Sequence, residues 1–473
     1  YKIINVNIRA YLKNHSQSFS NMLRKGTFIP MKTRIQDMTS GSPGRLIILF
    51  AIPLMLGNIC QQLYTMVDTM VVGQVVGVEA LAALGAVDFL MWVVTGISTG
   101  LTQGFSIQLS QYYGAKNFEN LRKSLAHSYR LTAFIAAGVL ILSQSFASLV
   151  LTGLHTPSNI IGMSLLYLRI IFCGIPATAA YNMFASALRA MGNSKTPLTA
   201  MIIASVLNVS LDILFVAGFG WGVAGAAIAT VIAQSFSAVY CFLILRRIDI
   251  VHLTRADFMP ASGMNARLMK LGIPVVFQNI IIGVGGLVVQ YVINGYGFLF
   301  VAGFTATNKL YGLLEMAAIS YGYAIVTYVG QNLGAGKIDR IRKGVRSSML
   351  LCLLTSLIIS AAMFLFGKNI LSLFISGEPQ QVLAIAFKYL SIMAAMLWVL
   401  YFLYVYRSAL QGLGDTLMPM VSGMAEFVMR ISAALILPHF IGQDGIFFAE
   451  IAAWSGATMI LCISYYVRMH KYH

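Results

Sequence analysis

The chain has 473 residues, of which 58% are hydrophobic and only 10% are charged, and its mean hydropathy is +0.79. Soluble proteins carry about 25% charged residues, so the composition excludes a soluble globular protein and leaves room for about twelve apolar helices of ~20 residues each. The net charge of +17 is typical of a membrane protein with basic cytoplasmic loops, and no cluster of aromatic and basic residues indicates nucleic-acid binding.

The amino-terminal 45 residues are polar and contain eight Lys or Arg. They lack the apolar core that a signal peptide needs. We therefore interpret residues 1–45 as a polar, basic leader, of which residues 1–40 are expected to be mobile or non-native and have no predicted role.

The apolar runs after residue 45 predict an all-α membrane protein. Gly, Pro, Asn and charged residues separate these runs, and each run is longer than the 9–11 residues of a membrane β-strand. The twelve predicted helices cover 46–72, 79–113, 118–151, 157–188, 195–217, 223–246, 268–293, 301–333, 340–374, 381–411, 416–438 and 445–468. We expect two six-helix lobes, an N-lobe (46–246) and a C-lobe (267–473), joined by a cytoplasmic linker (247–266).

Basic residues alternate along the connections between these helices. The first and last connections, 73–78 and 439–444, contain no Lys or Arg, whereas every second connection is basic, as at Arg246, Arg247 and Lys337. Because basic loops stay on the cytoplasmic side, we predict a multi-pass protein of the plasma (inner) membrane with both termini in the cytoplasm.

The second half of the chain repeats the first at an offset of about 221 residues. SQYYGAK at 110–116 matches GQNLGAG at 330–336, and SALRAMGNSKTP at 186–197 matches SALQGLGDTLMP at 408–419. Since each half has an even number of predicted spans, both halves enter the membrane from the same side. The repeat is therefore a parallel one, not an inverted one. Transporters of this plan place their sites between or within the halves.

Four polar residues of the first half are predicted to lie at one depth in the membrane: Asp68, Asn208, Asp212 and Thr230. A charge at the centre of a membrane helix costs ~2.5–3.5 kcal/mol on insertion scales. Oxygen ligands suit a hard cation such as Na⁺, and two close acids alternatively share a proton. The second half lacks the acids at the repeated positions, with Val289 in place of Asp68, which favours a function over a role in folding.

Other polar residues in the predicted helices are secondary candidates. Glu426 and Arg430 are four residues apart, a spacing that predicts an ion pair within one helix. We expect Lys309 and Glu315 either to pair across helices or to line a pathway. The interpretation that we favour for Asp88 is a structural buried acid.

Three further residues are candidates for binding a substrate. Gln61 lies two turns from Asp68 on the same helical face, and Tyr167 and Asn182 are predicted to line the same cavity. The alternative for all three is ordinary hydrogen bonding between helices.

Several motifs resemble the multidrug and toxic compound extrusion (MATE) family over about residues 45–470. They are IPLMLGNICQQLYTMVDTMVVG, SQYYGAK, ALRAMGNSKTP, NVSLDILF and GVAGAAIAT. The resemblance implies a V-shaped fold that alternates between outward-open and inward-open forms, and export of organic, often cationic, drugs in exchange for Na⁺ or H⁺. In the branch with its cation site in the N-lobe, the cation ligands fall on the four polar residues of the first half. The substrate-facing positions fall on Gln61 and, less closely, on Tyr167 and Asn182. Another branch has acids in its seventh and tenth spans, which this sequence lacks.

Other classes of function remain as alternatives. A flippase for lipid-linked precursors or polysaccharides would need a strongly basic central cavity, and a channel would not need paired acids in one lobe. No hydrolase, zinc-peptidase or nucleotide-binding motif predicts an enzyme, and the five isolated cysteines offer neither a metal site nor a disulfide framework. We expect a monomer that needs no cofactor and whose partners are small-molecule drugs and the lipid bilayer. The sequence does not identify the coupling ion as Na⁺ or H⁺, and it does not identify the transported drug.

Overall fold

A computed structural model describes residues 35–154, 156–372 and 379–472 as α-helices and short connections, with no strand in these ranges. We number the α-helices in chain order. They are α1 (Pro43–Val75), α2 (Val78–Gly114), α3 (Phe118–Gly153), α4 (Ile161–Cys173), α5 (Ile175–Ala190), α6 (Lys195–Asp212), α7 (Gly222–Arg246), α8 (Met264–Asn294), α9 (Phe298–Gly334), α10 (Ile338–Ser372), α11 (Pro379–Ala395), α12 (Leu397–Gly412), α13 (Leu417–Ile441) and α14 (Ala449–His470).

Two of the predicted helices are broken. The segment predicted as 157–188 consists of α4 and α5, which meet at a bend of 46°, and the segment predicted as 381–411 consists of α11 and α12, which meet at 48°. Pro176 lies in the first turn of α5, where its missing N–H costs no hydrogen bond, but the second break has no proline beside it. The expectation of continuous helices was wrong at these places because apolar periodicity is the same on both sides of a bend.

Within the described residues, nine helical segments are long and apolar enough to cross a membrane, or eleven if each bent pair is one span. One of the nine is Leu417–His470, which comprises α13, α14 and a short 3₁₀ segment between them, Gly442–Phe448.

The internal repeat is confirmed by the backbone of the turns. Five pairs of residues with positive φ are separated by 220 or 222 positions, and four of these pairs are Gly with Gly. Glycine adopts this backbone region without strain, so the two halves repeat their turns as well as their helices. The pairs are Gly41 and Gly263, Gly77 and Gly297, Lys116 and Gly336, Gly192 and Gly414, and Gly220 and Gly442.

Residues 36–42, which we call the amino-terminal strap, connect the two halves. The Gln36 N–H donates to the carbonyl oxygen of Gly192 in the first half, at 3.0 Å. Met38 is fully buried, and its N–H donates to the Gln331 side chain in the second half, at 3.1 Å. The strap is therefore packed against both halves.

Side chains around the α9–α10 turn, in the second half of the chain, also bind the strap. Asn332, Lys337 and Arg340 donate to strap carbonyl oxygens at 2.9, 2.9 and 3.0 Å. The prediction of a leader without a role was therefore wrong for the strap, because its backbone groups have specific partners that lie about 300 residues away. The rest of that prediction falls on residues 1–34, outside the described residues.

The halves meet closely at the end of the bundle that carries the basic connections, which we call the basic end. A Cβ atom on Gly114 of α2 would lie 1.9 Å from the carbonyl oxygen of Gln331, and one on Gly334 of α9 would lie 1.9 Å from that of Gln111. These two glycines belong to the repeated motifs SQYYGAK and GQNLGAG. The motif is thus a crossing point where only a hydrogen atom fits between the two backbones.

Candidate cation site and central cavity

The structure brings together the four polar residues that the sequence singles out in the first half. Asp68 lies on α1, Asn208 and Asp212 lie on α6, and Thr230 lies on α7. The Asn208 amide donates to the Thr230 hydroxyl at 3.4 Å, and Asp68 is close enough to Asp212 to interact electrostatically. Asp68 is 6% exposed, and Asn208 and Asp212 are fully buried.

Four oxygen atoms of this cluster lack hydrogen-bond donors. One carboxylate oxygen of Asp68, the amide oxygen of Asn208 and both carboxylate oxygens of Asp212 are buried without a donor among the described residues. Leaving a buried acceptor unsatisfied costs about 1–3 kcal/mol, and more when it is charged. Four such oxygens in one place fit either a hard cation or protons on the acids.

The cluster does not have the composition of a transition-metal site. No group of three or more His, Cys, Asp or Glu that could hold a metal ion occurs in the part of the chain that the structure describes. Soft metals prefer sulfur and imidazole ligands, so carboxylate, amide and hydroxyl oxygens favour a hard ion or a proton instead.

The backbone changes its winding directly after Asp212. α6 ends at that residue, and Ile213–Gly218 form a π-helix. Single π-helical turns inside membrane or soluble helices are rare and are often found at functional sites. Phe215 stacks on Trp221 with ring centroids 5.0 Å apart, which holds this turn against the start of α7. The sequence contained no signal for the π-helix.

Two of the three predicted substrate residues border the acid cluster. Tyr167 is buried on α4 and interacts electrostatically with Asp68 and Asp212. The Gln61 side chain is hydrogen-bonded to Tyr64, which itself interacts electrostatically with Asp68. Both residues therefore lie near the acids, and their role in lining a substrate cavity stays a prediction.

Asn182 lies elsewhere. It follows the bend between α4 and α5, and its amide donates to the Thr99 hydroxyl of α2 at 3.4 Å. Thr99 lines a different space, the central cavity between the two halves. The structure thus places Asn182 beside the central cavity rather than with Gln61, because the unpredicted bend separates the two parts of its segment.

The central cavity has a volume of about 390 Å³ and is lined by α2, α8, α9 and α12. It contains polar side chains from both halves together with aromatic rings. Its polar lining includes Thr99, Gln103, Gln278, Asn279, Glu315, Tyr404, Arg407 and Gln411.

Two ion pairs of the second half lie in and behind the wall of this cavity. Arg407 of α12 pairs with Glu426 of α13, and Arg430 of α13 pairs with Glu450 of α14 at 2.8 Å. The predicted pair within one helix, Glu426 with Arg430, was wrong, because each side chain has a closer partner on a neighbouring helix. The sequence analysis did not single out Arg407, which is buried.

Glu315 has different surroundings from Lys309 and Asp88. Glu315 lines the central cavity and accepts a hydrogen bond from the Tyr404 hydroxyl at 2.9 Å. Lys309 is exposed and interacts electrostatically with Asp88 of the other half. Asp88 is itself exposed, so the expectation of a buried acid was wrong for this residue. Glu315 was expected either to pair with another charge across helices or to line a pathway. Its place in the wall of the cavity supports the second alternative.

Comparison with known proteins gives the family. The MatE family model matches residues 53–214 and 274–436, one match in each half of the repeat. The chain belongs to the MatE family. The resemblance found in the sequence is thereby confirmed for the family, and the branch with an N-lobe cation site stays a prediction.

Curated relatives in this family match along nearly their whole length. The chain is 28% identical to "Probable multidrug resistance protein YoeA" of Bacillus subtilis, over 91% of this chain and 95% of the relative. It is 30% identical to "Probable multidrug resistance protein YpnP" of the same organism, over 87% and 92%. Identity to "Probable multidrug resistance protein NorM" of Thermotoga maritima is 25%, over 87% and 88%.

Solved structures show the same fold. A crystal structure of MATE in complex with MaL6 superposes with a TM-score of 0.88 at 21% identity, over 93% of this chain and 99% of that one. A structure described as the outward-facing conformation of a multidrug resistance MATE family transporter of the MOP superfamily has a TM-score of 0.87, with the same identity and coverage.

Proposed function

We propose that this MatE-family chain is a secondary active multidrug efflux antiporter with twelve spans in two six-helix lobes. It exports organic, often cationic, compounds in exchange for H⁺ or Na⁺ by alternating access. The names of its relatives support efflux of drugs. A flippase for lipid-linked precursors is not favoured, because Arg407, the basic side chain among the described lining of the cavity, already has Glu426 as its partner.

The proposed orientation puts the basic end in the cytoplasm of a plasma (inner) membrane protein, with both termini on that side. The crossing of Gly114 with Gln331 then closes the cytoplasmic end. The conformation described above is accordingly the one from which a drug leaves and a coupling ion enters on the outer side.

The observation that carries the proposal is the group of buried oxygen atoms without donors around Asp68, Asn208 and Asp212. In the outward-open form these oxygens take up Na⁺ or H⁺, with Thr230 as a further oxygen. Neutralising the acids lowers the free energy needed to close the surrounding space, because buried unpaired charge is expensive. Binding drives the change only because the ion has different affinities for the two conformations.

The test is transport of a fluorescent cationic dye into inverted proteoliposomes under an imposed Na⁺ gradient or an imposed pH gradient. We expect one gradient to drive uptake by the wild type and both Asp68→Asn and Asp212→Asn to abolish it. Asp339→Asn is the matched control, since this acid is exposed at the basic end. Normal transport by both site variants, or no dye movement under either gradient, would overturn the proposal.

A further inference from the structure

A second cavity lies at the basic end, between α10, α12 and α14 of the second half. We call it the basic-end cavity, and its volume is about 400 Å³. It is distinct from the central cavity, because α12 presents Tyr404 to the central cavity and Tyr406, on its other side, to this one. The polar side chains of its lining are Arg342, Arg346, Tyr406, Tyr465, Tyr466 and His470.

The two arginines of the basic-end cavity have little acidic compensation. A terminal nitrogen of Arg342 lies 3.5 Å from Asp339, an exposed acid one turn earlier on the same helix. Arg346 is exposed and has no carboxylate within 4 Å among the described residues. The sequence of residues 1–34 contains no Asp or Glu, so that segment has no side-chain carboxylate to offer. In the part of the chain that the structure describes, this cavity wall therefore carries more positive than negative charge.

The first half shows which chemical group an arginine at this position binds. Arg342 repeats Arg122 at an offset of 220 residues, and Arg122 pairs with Asp257 at 3.7 Å. Asp257 is a buried acid of the linker. Arg346 repeats Ala126, so the second half adds a cation here, while the described residues place no buried carboxylate beside it. The basic-end cavity thus keeps an arginine that binds an oxyanion in the other half and adds a second one.

The aromatic side chains differ between the halves in the same sense. Phe184 and Phe242 of the first half have ring centroids 5.3 Å apart, and the repeated positions are Tyr406 and Tyr465, at 5.6 Å. Packing of the rings is common to both halves, whereas hydroxyl groups occur in the second half. The Tyr406 hydroxyl is hydrogen-bonded to Tyr466, so it lies beside a further phenol. Phenol hydroxyls donate hydrogen bonds to anionic oxygens, and tyrosine is enriched at membrane interfaces.

The surface that continues from this cavity away from the basic end is apolar. On α10, the exposed residues Leu350, Leu354 and Ile358 follow Arg346 at steps of four residues. On α14, Ile463 is exposed two turns before the end of the helix. Exposed large aliphatic side chains on a membrane helix contact acyl chains. A ligand that combines an anionic group with acyl chains therefore matches both the cavity and the surface beside it, whereas a soluble anion matches only the cavity.

We infer that the basic-end cavity binds the phosphate group of an anionic phospholipid of the cytoplasmic leaflet, with Arg342 and Arg346 as its cationic contacts. A guanidinium group binds phosphate oxygens through two parallel hydrogen bonds. Basic pockets between membrane helices on the cytoplasmic side are known sites for anionic headgroups. The leaflet follows from the proposed orientation of the chain, but the site depends neither on the transported drug nor on the coupling ion.

The test is native mass spectrometry of the full chain in detergent, titrated with dioleoyl phosphatidylglycerol or dioleoyl phosphatidylcholine. The two lipids have the same acyl chains, but only the first has a net negative charge. We expect the wild type to prefer phosphatidylglycerol. Arg346→Ala, which introduces the residue of the first half, should raise the dissociation constant of the first bound phosphatidylglycerol about tenfold. Its binding of phosphatidylcholine should not change.

Lys343→Ala is the matched control, because Lys343 is an exposed cation of the same helix that does not line the cavity. It should bind phosphatidylglycerol like the wild type. Arg346→Lys keeps the charge and should retain most of the preference, and monodisperse elution of each variant shows that it is folded.

Three results would overturn the inference: equal affinity of the wild type for the two lipids, equal losses in Arg346→Ala and Lys343→Ala, or displacement of phosphatidylglycerol by free glycerol phosphate. The second result would show general attraction to a basic surface, and the third would show a site for a soluble phosphate. Because binding is measured in detergent without a drug or a gradient, each of these results leaves the efflux proposal intact.

Discussion

Replacing Gly114 with alanine should push the two halves apart at the basic end. The new Cβ would lie 1.9 Å from the carbonyl oxygen of Gln331, whereas a carbon and an oxygen in contact are about 3.3–3.6 Å apart. The clashing atom belongs to the backbone of α9. A side-chain rotation therefore cannot relieve the clash, and one helix must move by more than about 1 Å relative to the other.

The expected free energy follows from comparable changes in packed interiors, where an added methyl group costs about 1–3 kcal/mol. This cost applies only while the basic end is closed. Because each ~1.4 kcal/mol is a factor of ten, the ratio of closed to open molecules should fall by about 5-fold to 150-fold. Gly334→Ala meets the carbonyl oxygen of Gln111 at the same distance and should act alike, but not additively, since both changes strain one crossing.

Double electron–electron resonance measures the change directly. Spin labels on cysteines introduced at the exposed acids Glu119 and Asp339 report the separation of α3 and α10 at the basic end, in a background without the five native cysteines. The wild type should show a short distance, and Gly114→Ala should transfer population to a longer one.

Gly85→Ala is the control on the same helix, because a Cβ there meets nothing within 4 Å. It gains the same intrinsic helix propensity, about 1 kcal/mol, without the clash. If Gly114→Ala gives the distance distribution of Gly85→Ala, the reasoning about the crossing is refuted.

Two further predictions concern buried polar contacts and are checked by thermal unfolding in detergent. Arg407→Leu leaves Glu426 buried and unpaired and should lower the unfolding free energy by about 3–5 kcal/mol. The double variant with Glu426→Leu should recover most of that loss. A double variant no more stable than the single one would contradict this prediction. Gln331→Ala removes the acceptor of the buried Met38 N–H and the donor to the Ala190 carbonyl oxygen, and should cost at least about 1–3 kcal/mol. Gln290→Ala, whose amide bonds within its own helix, should change little. Equal melting temperatures for these two glutamine variants would show that the strap contact does not stabilise the fold.

Much of the fold was predictable because its signals are local in the chain. The apolar runs predicted helix ends within a few residues of those observed, and the glycines of the crossing lie in motifs that the repeat matches. Asp68 and Asp212 were recognised as a pair because a charge in a membrane helix is rare. The structure does place them together, while their role in ion coupling stays a prediction.

The sequence by itself determined the membrane class, the helical segments, the repeat and the oxygen-bearing residues of the N-lobe, because hydropathy and charge act along the chain. Only the tertiary structure decided the partners of Glu426 and Arg430, the position of Glu315 in the cavity wall and the packing of the strap. An i, i+4 spacing permits an ion pair, but a buried charge pairs with whichever opposite charge the neighbouring helices bring closest. That choice depends on distances between helices, which no local pattern contains.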